Sequence, residues 1–353
     1  MKYTTILVTG GAGFVGSNLA VSFKSKYPKL KVIALDNLKR RGSELNLKPL
    51  KENGVDFIHA DIRNQEDLVL KNKIDLVIEC SAEPSVLAGF GDNPGYIINT
   101  NLNGTVNCLE LCRKHKSDII FLSTSRVYPY EALNRINSDE KTERFSWKAG
   151  QKIEGWTKKG INEKFPLEGA KTLYGATKLC SELILQEYLK NYGLKGLVNR
   201  LGVIAGPGQF GKVDQGVFTF WMLAHYFKRN LEYIGFGGKG KQVRDLMHID
   251  DLFALIDIEA ASLEKLNGKI YNAGGGSINL SLKEATALCS KITGNSLKLR
   301  PNKLNRPGDI KIYITDNSAA EKDLHWHPKK GPEEIMLDTF NWIRENEKAL
   351  KQI

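Results

Sequence analysis

The 353-residue chain is 41% hydrophobic and 26% charged, the proportions of a soluble globular protein with room for one large α/β domain or two unequal ones. Its net charge of +11 is dispersed rather than gathered into a basic arm or an aromatic-interleaved stripe, which argues against a nucleic-acid partner. No apolar run approaches a membrane span, Met1-Lys2-Tyr3 leads into a strand without a leader, and the 5 cysteines fit free thiols in a reducing cytoplasm.

The first element is a short β-rich run, Ile6-Leu7-Val8-Thr9, which feeds Gly10, Gly13 and Gly16 and then a helix over 17–23. In that context each glycine has a task. Gly10 allows the tight turn, Gly13 lets backbone approach a pyrophosphate, and Gly16 permits close helix–strand packing. The phosphates then sit on the helix N-terminus, where free N–H groups and the dipole favour anions. A second strand over 30–35 ends in Asp36, placed to accept from an adenosine ribose hydroxyl and to repel a 2′-phosphate, so NAD is expected over NADP. Lys39, Arg40 and Arg41 follow as a basic loop near the adenine end, with the alternative that they attract that phosphate.

The βα alternation continues with a strand over 55–61, a short helix over 65–70, a buried strand over 76–80, a helix over 99–114 and a strand over 119–122. A helix over 181–191 and a strand over 194–200 complete it. Such alternation predicts a Rossmann-type, doubly wound parallel sheet with right-handed crossovers, in which ligands gather at the carboxyl ends of the strands. Asp36, Asp61, Ser81, Ser123 and Thr124 all fall at such ends.

Residues 129–172 are polar with little periodicity and are expected to form a lid over the substrate. Beyond Gly206-Pro207-Gly208 the pattern turns mixed, with helices expected over 216–227, 282–293 and 338–345. The division expected is an NAD-binding domain over 1–200 and a mainly substrate-binding α/β part over 201–353, some of whose segments return to the sheet. Phe218, Trp221 and Tyr226 share helical spacing and read as core. His325-Trp326-His327 reads as a surface turn before Pro328. Neither the histidines nor Cys108 with Cys112 have the company that a metal site requires.

The chemistry is concentrated in Tyr174-Gly175-Ala176-Thr177-Lys178, which places a phenol and an ammonium four residues apart on one face of a helix. A nearby cation favours the phenolate, so Lys178 is expected to lower the pKa of Tyr174 and make it a usable base. Thr124, or else Ser123, is the hydroxyl expected to hold the reacting oxygen. Arg244 and Arg306 are the guanidiniums best suited to a diphosphate, while Gln209 and Gln215 are placed to read sugar hydroxyls or the base.

Together, Gly10-Gly11-x-Gly13-Phe14-x-Gly16, Asp36-Asn37-Leu38, Asp61-Ile62-Arg63, Asn101-Leu102-Asn103-Gly104-Thr105, Ser123-Thr124 and Tyr174-x-x-x-Lys178 resemble the extended short-chain dehydrogenase/reductase family, in its sugar-nucleotide epimerase and dehydratase branch. The resemblance implies a cofactor site drawn from Gly10, Gly13, Phe14, Val15, Gly16, Asp36, Asn37, Lys39, Arg41, Asp61, Ile62, Ser81, Ala82, Glu83, Asn101, Ser123, Tyr174 and Lys178. It implies Thr124, Tyr174 and Lys178 as catalytic residues, and Arg306-Pro307-Gly308-Asp309 as a substrate segment. Within the branch, Ser125-Arg126-Val127-Tyr128, Asp214-Gln215-Gly216 and Gly240-Lys241-Gln242-Val243-Arg244-Asp245 resemble the CDP-tyvelose (CDP-paratose) 2-epimerases.

That likeness implies a CDP-sugar as substrate, catalytic NAD regenerated in each cycle, and a homodimer or higher homo-oligomer. It departs at Leu201-Gly202-Val203, where small hydroxyl residues are expected. Dehydratases of the branch carry Asp-Glu directly after the hydroxyl residue. Ser125-Arg126 stand there instead, and arginine cannot surrender a proton, so elimination is disfavoured. A 4-epimerase on another nucleotide sugar uses the same residues and is the alternative. A non-catalytic NAD sensor is a more remote one.

Overall fold

The computed structural model describes residues 2–91, 93–212 and 215–352. Asp214 of the Asp214-Gln215-Gly216 run and Met1, ahead of the first strand, lie outside the described residues. A seven-stranded sheet organises the chain, in the order Ile270–Ala273, Gly196–Leu201, Asp118–Thr124, Leu76–Glu79, Thr5–Thr9, Lys31–Asp36, Asp56–His59. Every pairing in it is parallel. The order reverses between Thr5–Thr9 and Leu76–Glu79, which is the crevice where doubly wound sheets bind dinucleotides.

Both faces are dry because alternate residues of each strand serve different cores. Ile6, Val8, Val32, Ala34, Ile120 and Leu122 point to a layer with Leu19, Phe23, Leu252 and Ile256, from the helices Phe14–Lys26 and Ile249–Leu266. Leu7, Ile33, Leu35, Val77, Ile119 and Phe121 point the other way, to Leu109 and Leu185 of Gly104–His115 and Thr172–Asn191. Each such aliphatic residue contributes roughly 1.5–3 kcal/mol on burial, which explains why these strands read as unbroken apolar runs.

Three further helices, Val217–Tyr226, Leu282–Thr293 and Pro332–Glu345, share a separate core of Phe218, Met222, Leu246, Ala285, Ile335 and Met336. Leu282–Thr293 starts where expected because Ser281 and Glu284 form a reciprocal capping box.

Several elements depart from expectation. The predicted helix over 65–70 is a single 3₁₀ turn, Gln65–Leu68. The predicted helix over 181–191 begins at Thr172, so Tyr174 and Lys178 both lie within it. Residues 99–103 form a π-turn ahead of Gly104–His115. Trp326 is not a surface turn residue: it is 3% exposed, and its Nε1 donates to the Asp251 carbonyl at 3.0 Å.

Segment 129–172 contains the helix Tyr130–Arg135 and an antiparallel hairpin of Ser138–Glu140 with Phe145–Trp147. Arg144 donates to both Glu284 oxygens at 2.8 and 2.6 Å, Ile161 N donates to Ile314 O at 2.8 Å, and Lys311 N donates to Asn134 Oδ1 at 2.7 Å. Three-residue strands are too short to show a period, which is why the sequence pattern there looked structureless.

Candidate active site

The glycine loop is shaped by contact distances that leave no space for side chains. Gly10 sits at φ +62°, and a Cβ on Gly16 would lie 2.2 Å from the Gly10 carbonyl oxygen. Gly13 is the N-cap of Phe14–Lys26, with no side chain occupying the open N–H groups. At the tip of the next strand, Asp36 accepts from Ala12 N at 3.1 Å and Leu38 N at 2.8 Å. Burial pushes its carboxyl pKa up against those bonds. Asp61 accepts from Asn37 Nδ2 at 2.9 Å, and its carboxyl is held well below the usual range chiefly by its bonds to Arg63.

A cavity of about 460 Å³ runs along this edge, lined by Gly10, Gly13, Asp36, Asn37, Lys39, Arg41, Asp61, Ile62, Ser81, Ala82 and Glu83 of the expected set. Open helix N–H groups for phosphates and a carboxylate for a ribose hydroxyl fit an NAD molecule here. Replacing Gly16 with alanine should abolish NAD retention, because its methyl would collide with backbone rather than with a flexible side chain. NAD content of the purified variant after dialysis tests this, and retention equal to wild type would refute it.

Several other residues of the expected set also make contacts with the fold. Gly16 packs against Gly10, and Phe14 and Val15 pack on the core beneath. Asn101 brackets the Glu83 backbone, accepting from its N–H at 2.7 Å and donating to its carbonyl at 3.1 Å, and also donates to Thr177 Oγ1 at 3.2 Å. It thereby fixes the loop after Leu76–Glu79 that walls the cavity. Ser123 donates inward to Glu182, which also takes two bonds from Arg200 Nε and Nη2, at 3.0 and 2.8 Å. Tyr96 and Thr100 line the cavity and had no sequence signal; Lys39 Nζ lies 4.2 Å from the Tyr96 ring centroid.

Thr124 ends the strand Asp118–Thr124, and its Oγ1 accepts from Arg126 N at 3.2 Å, capping the turn Ser125–Val127. That leaves its O–H on the side of the Tyr174 phenol, whose ionised form it favours. The helix Thr172–Asn191 comes this close because of Gly175: a Cβ there would sit 2.1 Å from the Arg126 carbonyl oxygen. Burial raises the Tyr174 phenol, the Thr124 bond and the Arg126 charge pull it back, and Glu83 and Glu79 push it up again. Lys178 was expected to perform that pull. Its Nζ meets Glu79 Oε2 at 3.5 Å and lies 4.0 Å from the Phe121 ring centroid, with both charged side chains at most 2% exposed.

A second cavity, about 380 Å³, is lined by Arg126, Gln215, Arg244, Arg306 and Asp309 and by an apolar wall of Val217, Phe220, Trp221, Leu231 and Leu282. Gln215 lines both cavities and accepts from Arg40. Arg244 donates to Asp309 at 2.9 Å. Gln209 spends its amide on the fold, donating to Ile204 O at 2.9 Å and accepting from Thr219 Oγ1 at 2.5 Å. Trp221 is core, as its spacing implied, but also presents a side to this cavity. Glu79 went unnoticed because it ends an apolar strand.

Residues 6–274 match the NAD dependent epimerase/dehydratase family. The chain is 30% identical to the CDP-paratose 2-epimerase of Salmonella typhi over 346 residues, 96% of this chain and 98% of that one. It is 29% identical to the UDP-glucuronate 4-epimerase of Thermodesulfobacterium geofontis, at 98% of each chain. A crystal structure of UDP-glucuronic acid 4-epimerase from Bacillus cereus, in complex with UDP-glucuronic acid and NAD, superposes with a TM-score of 0.79 at 26% identity, over 97% of this chain and 99% of that one. The glycine loop, the parallel sheet and the Thr124–Tyr174 contact therefore belong together: the chain is a member of the NAD dependent epimerase/dehydratase family, an epimerase-type enzyme whose cofactor is NAD.

Proposed function

We propose that the chain epimerises a nucleotide sugar at C2, with a CDP-hexose of the paratose/tyvelose type as substrate. The observation that carries the epimerase reading is the Thr124–Tyr174 contact, followed by Ser125-Arg126 where an elimination would need a proton-donating pair. The CDP and C2 assignments are supported by the similarity to the CDP-paratose 2-epimerase and by the Gly240–Asp245 run that includes Arg244.

NAD, when bound, supplies a hydride acceptor that returns the hydride to the sugar. Tyr174 takes the proton from the reacting sugar hydroxyl and gives it back after the keto sugar has turned. Thr124 donates to the same oxygen and stabilises the charge that develops there. Lys178 holds the nicotinamide ribose. Arg244 and Arg306 face the diphosphate, and the Phe220–Trp221 wall offers a flat apolar surface to the base. Residues from 201 onward thus supply most of the substrate side, and segment 129–172 closes over it from its base on Glu284 and Asp309. A homodimer through the outer face of Thr172–Asn191, where Leu183 is exposed, is part of the same reading.

The second reading is a 4-epimerase acting on a UDP-sugar, favoured by the relatives that carry that name. Proton NMR of the protein with CDP-paratose, CDP-tyvelose, UDP-glucose and UDP-glucuronate separates the two. Interconversion of the CDP pair is expected, and turnover confined to C4 of a UDP-sugar would overturn the C2 assignment.

A further inference from the structure

Arg40 follows the strand Lys31–Asp36 and borders the NAD cavity. Its guanidinium reaches across the chain rather than along its own loop. Nη1 donates to Gln215 Oε1, and Nη2 donates to the Phe210 carbonyl at 2.6 Å. Both acceptors lie shortly before the helix Val217–Tyr226, 175 and 170 positions away from Arg40. Gln215 is itself held by main chain: its N–H donates to Lys212 O at 3.2 Å, and its carbonyl accepts from Lys212 N at 2.7 Å. Phe210 packs beside the same loop. A Cβ on Gly42 would lie 3.0 Å from its ring, and its ring centroid is 5.7 Å from that of Trp342.

Among the described residues, Gln215 alone lines both cavities. Directly after it come Gly216, the N-cap of Val217–Tyr226 at φ +67°, and then Val217, Phe220 and Trp221 of the apolar wall. A carboxamide has one oxygen and two N–H donors. The oxygen of Gln215 is engaged by Arg40, so the donors are what its amide offers to a ligand in the second cavity. A ligand oxygen that accepts one of them fixes the amide, and the fixed amide holds Arg40 at the rim of the first cavity. Two long side chains lose their rotamer freedom when the first ligand binds. The second ligand meets them already ordered.

We propose that Arg40 and Gln215 are positioning residues that couple the two cavities: a nucleotide in the second tightens the hold on NAD in the first, and NAD tightens the hold on the nucleotide by the same factor. This rests on the second cavity being the nucleotide-sugar site. An epimerase gains from such a link, because a cofactor lost in mid-cycle leaves the sugar oxidised.

Equilibrium dialysis of the purified holoprotein against graded NAD measures its affinity for NAD, alone and with saturating CDP or UDP. Calorimetric titration of the NAD-loaded protein with each nucleotide establishes binding and saturation. In wild type, the nucleotide that binds should lower the NAD dissociation constant about fivefold or more, the lower end of coupling between sites. Gln215→Leu keeps most of the side chain's bulk and removes the amide, and Arg40→Met removes the guanidinium. Each should bring the ratio of NAD affinities with and without nucleotide to within about twofold of unity, and the double variant should match the single ones, because one link is broken only once. A merely structural loss would weaken NAD binding in both conditions and leave the ratio at its wild-type value. An uncoupled wild type, or a Gln215→Leu protein that keeps the wild-type ratio, would overturn the proposal. If Arg40→Met does not fold, Gln215→Leu decides alone. Binding of neither CDP nor UDP would overturn the nucleotide-sugar reading of the second cavity and this coupling with it, whereas binding without coupling overturns the coupling alone.

Discussion

Tyr174→Phe should lower the turnover number of epimerisation by roughly 10²–10⁴-fold, the range over which a positioned acid–base group contributes. The substitution removes one oxygen and keeps the ring, so the packing that seats the helix Thr172–Asn191 over Arg126 is retained. NAD retention after dialysis and the thermal midpoint should therefore stay near wild type, which separates a lost proton acceptor from a damaged site. Thr124→Val should have a smaller effect on turnover. It removes a donor to the reacting oxygen, but also the cap on Arg126 N, so some loss of stability accompanies it. Turnover of Tyr174→Phe within about threefold of wild type, on whichever nucleotide sugar the protein converts, would remove Tyr174 from the mechanism.

The parts of this site that were legible in the sequence are those where backbone geometry restricts the residue type. Gly10, Gly13 and Gly16 sit where a side chain would strike main chain or close an anion site, and the strand-end positions of Asp36, Asp61 and Thr124 follow from counting apolar runs. Gly175 belongs to the same class, although its reason, contact with the Arg126 carbonyl, became visible only in three dimensions. What the sequence concealed were pairings over long separations. Lys178 and Tyr174 share a helix, so spacing linked them, whereas Glu79 reaches Lys178 across 99 positions. The same holds for Asn101, Ser123 and Gln209: each is a polar residue beside the site whose hydrogen bonds are made to the fold. Side-chain type identifies what a residue can bond, but only the topology decides which partner it meets.

Glu259→Gln should stabilise the protein at pH 8 and above, and should flatten its dependence of stability on pH. Glu259 lies in the helix Ile249–Leu266, is fully buried, and faces Asn199 of the strand Gly196–Leu201. Asn199 Nδ2 donates to Glu259 Oε2 at 2.7 Å, while Glu259 Oε1 and Asn199 Oδ1 are both buried acceptors without a donor. A proton on the carboxyl supplies the missing donor and satisfies both atoms, closing a two-bond acid–amide pair. Burial accordingly raises the carboxyl pKa to about 8, only partly offset by the Asn199 bond. The sign follows from linkage. The folded state keeps this proton over a range in which the unfolded chain has released it, so the contribution is full below the ordinary glutamate pKa, shrinks as pH rises, and is lost once the folded carboxyl ionises near pH 8. The stability given up across that interval is on the order of 4 kcal/mol. Glutamine presents the same two bonds, Nε2 to Asn199 Oδ1 and Oε1 from Asn199 Nδ2, with nothing to ionise. Denaturant unfolding at pH 5, 7 and 9 should show wild type weakening steadily against the variant. Parallel curves for the two proteins would place the proton elsewhere and leave Glu259 ionised throughout.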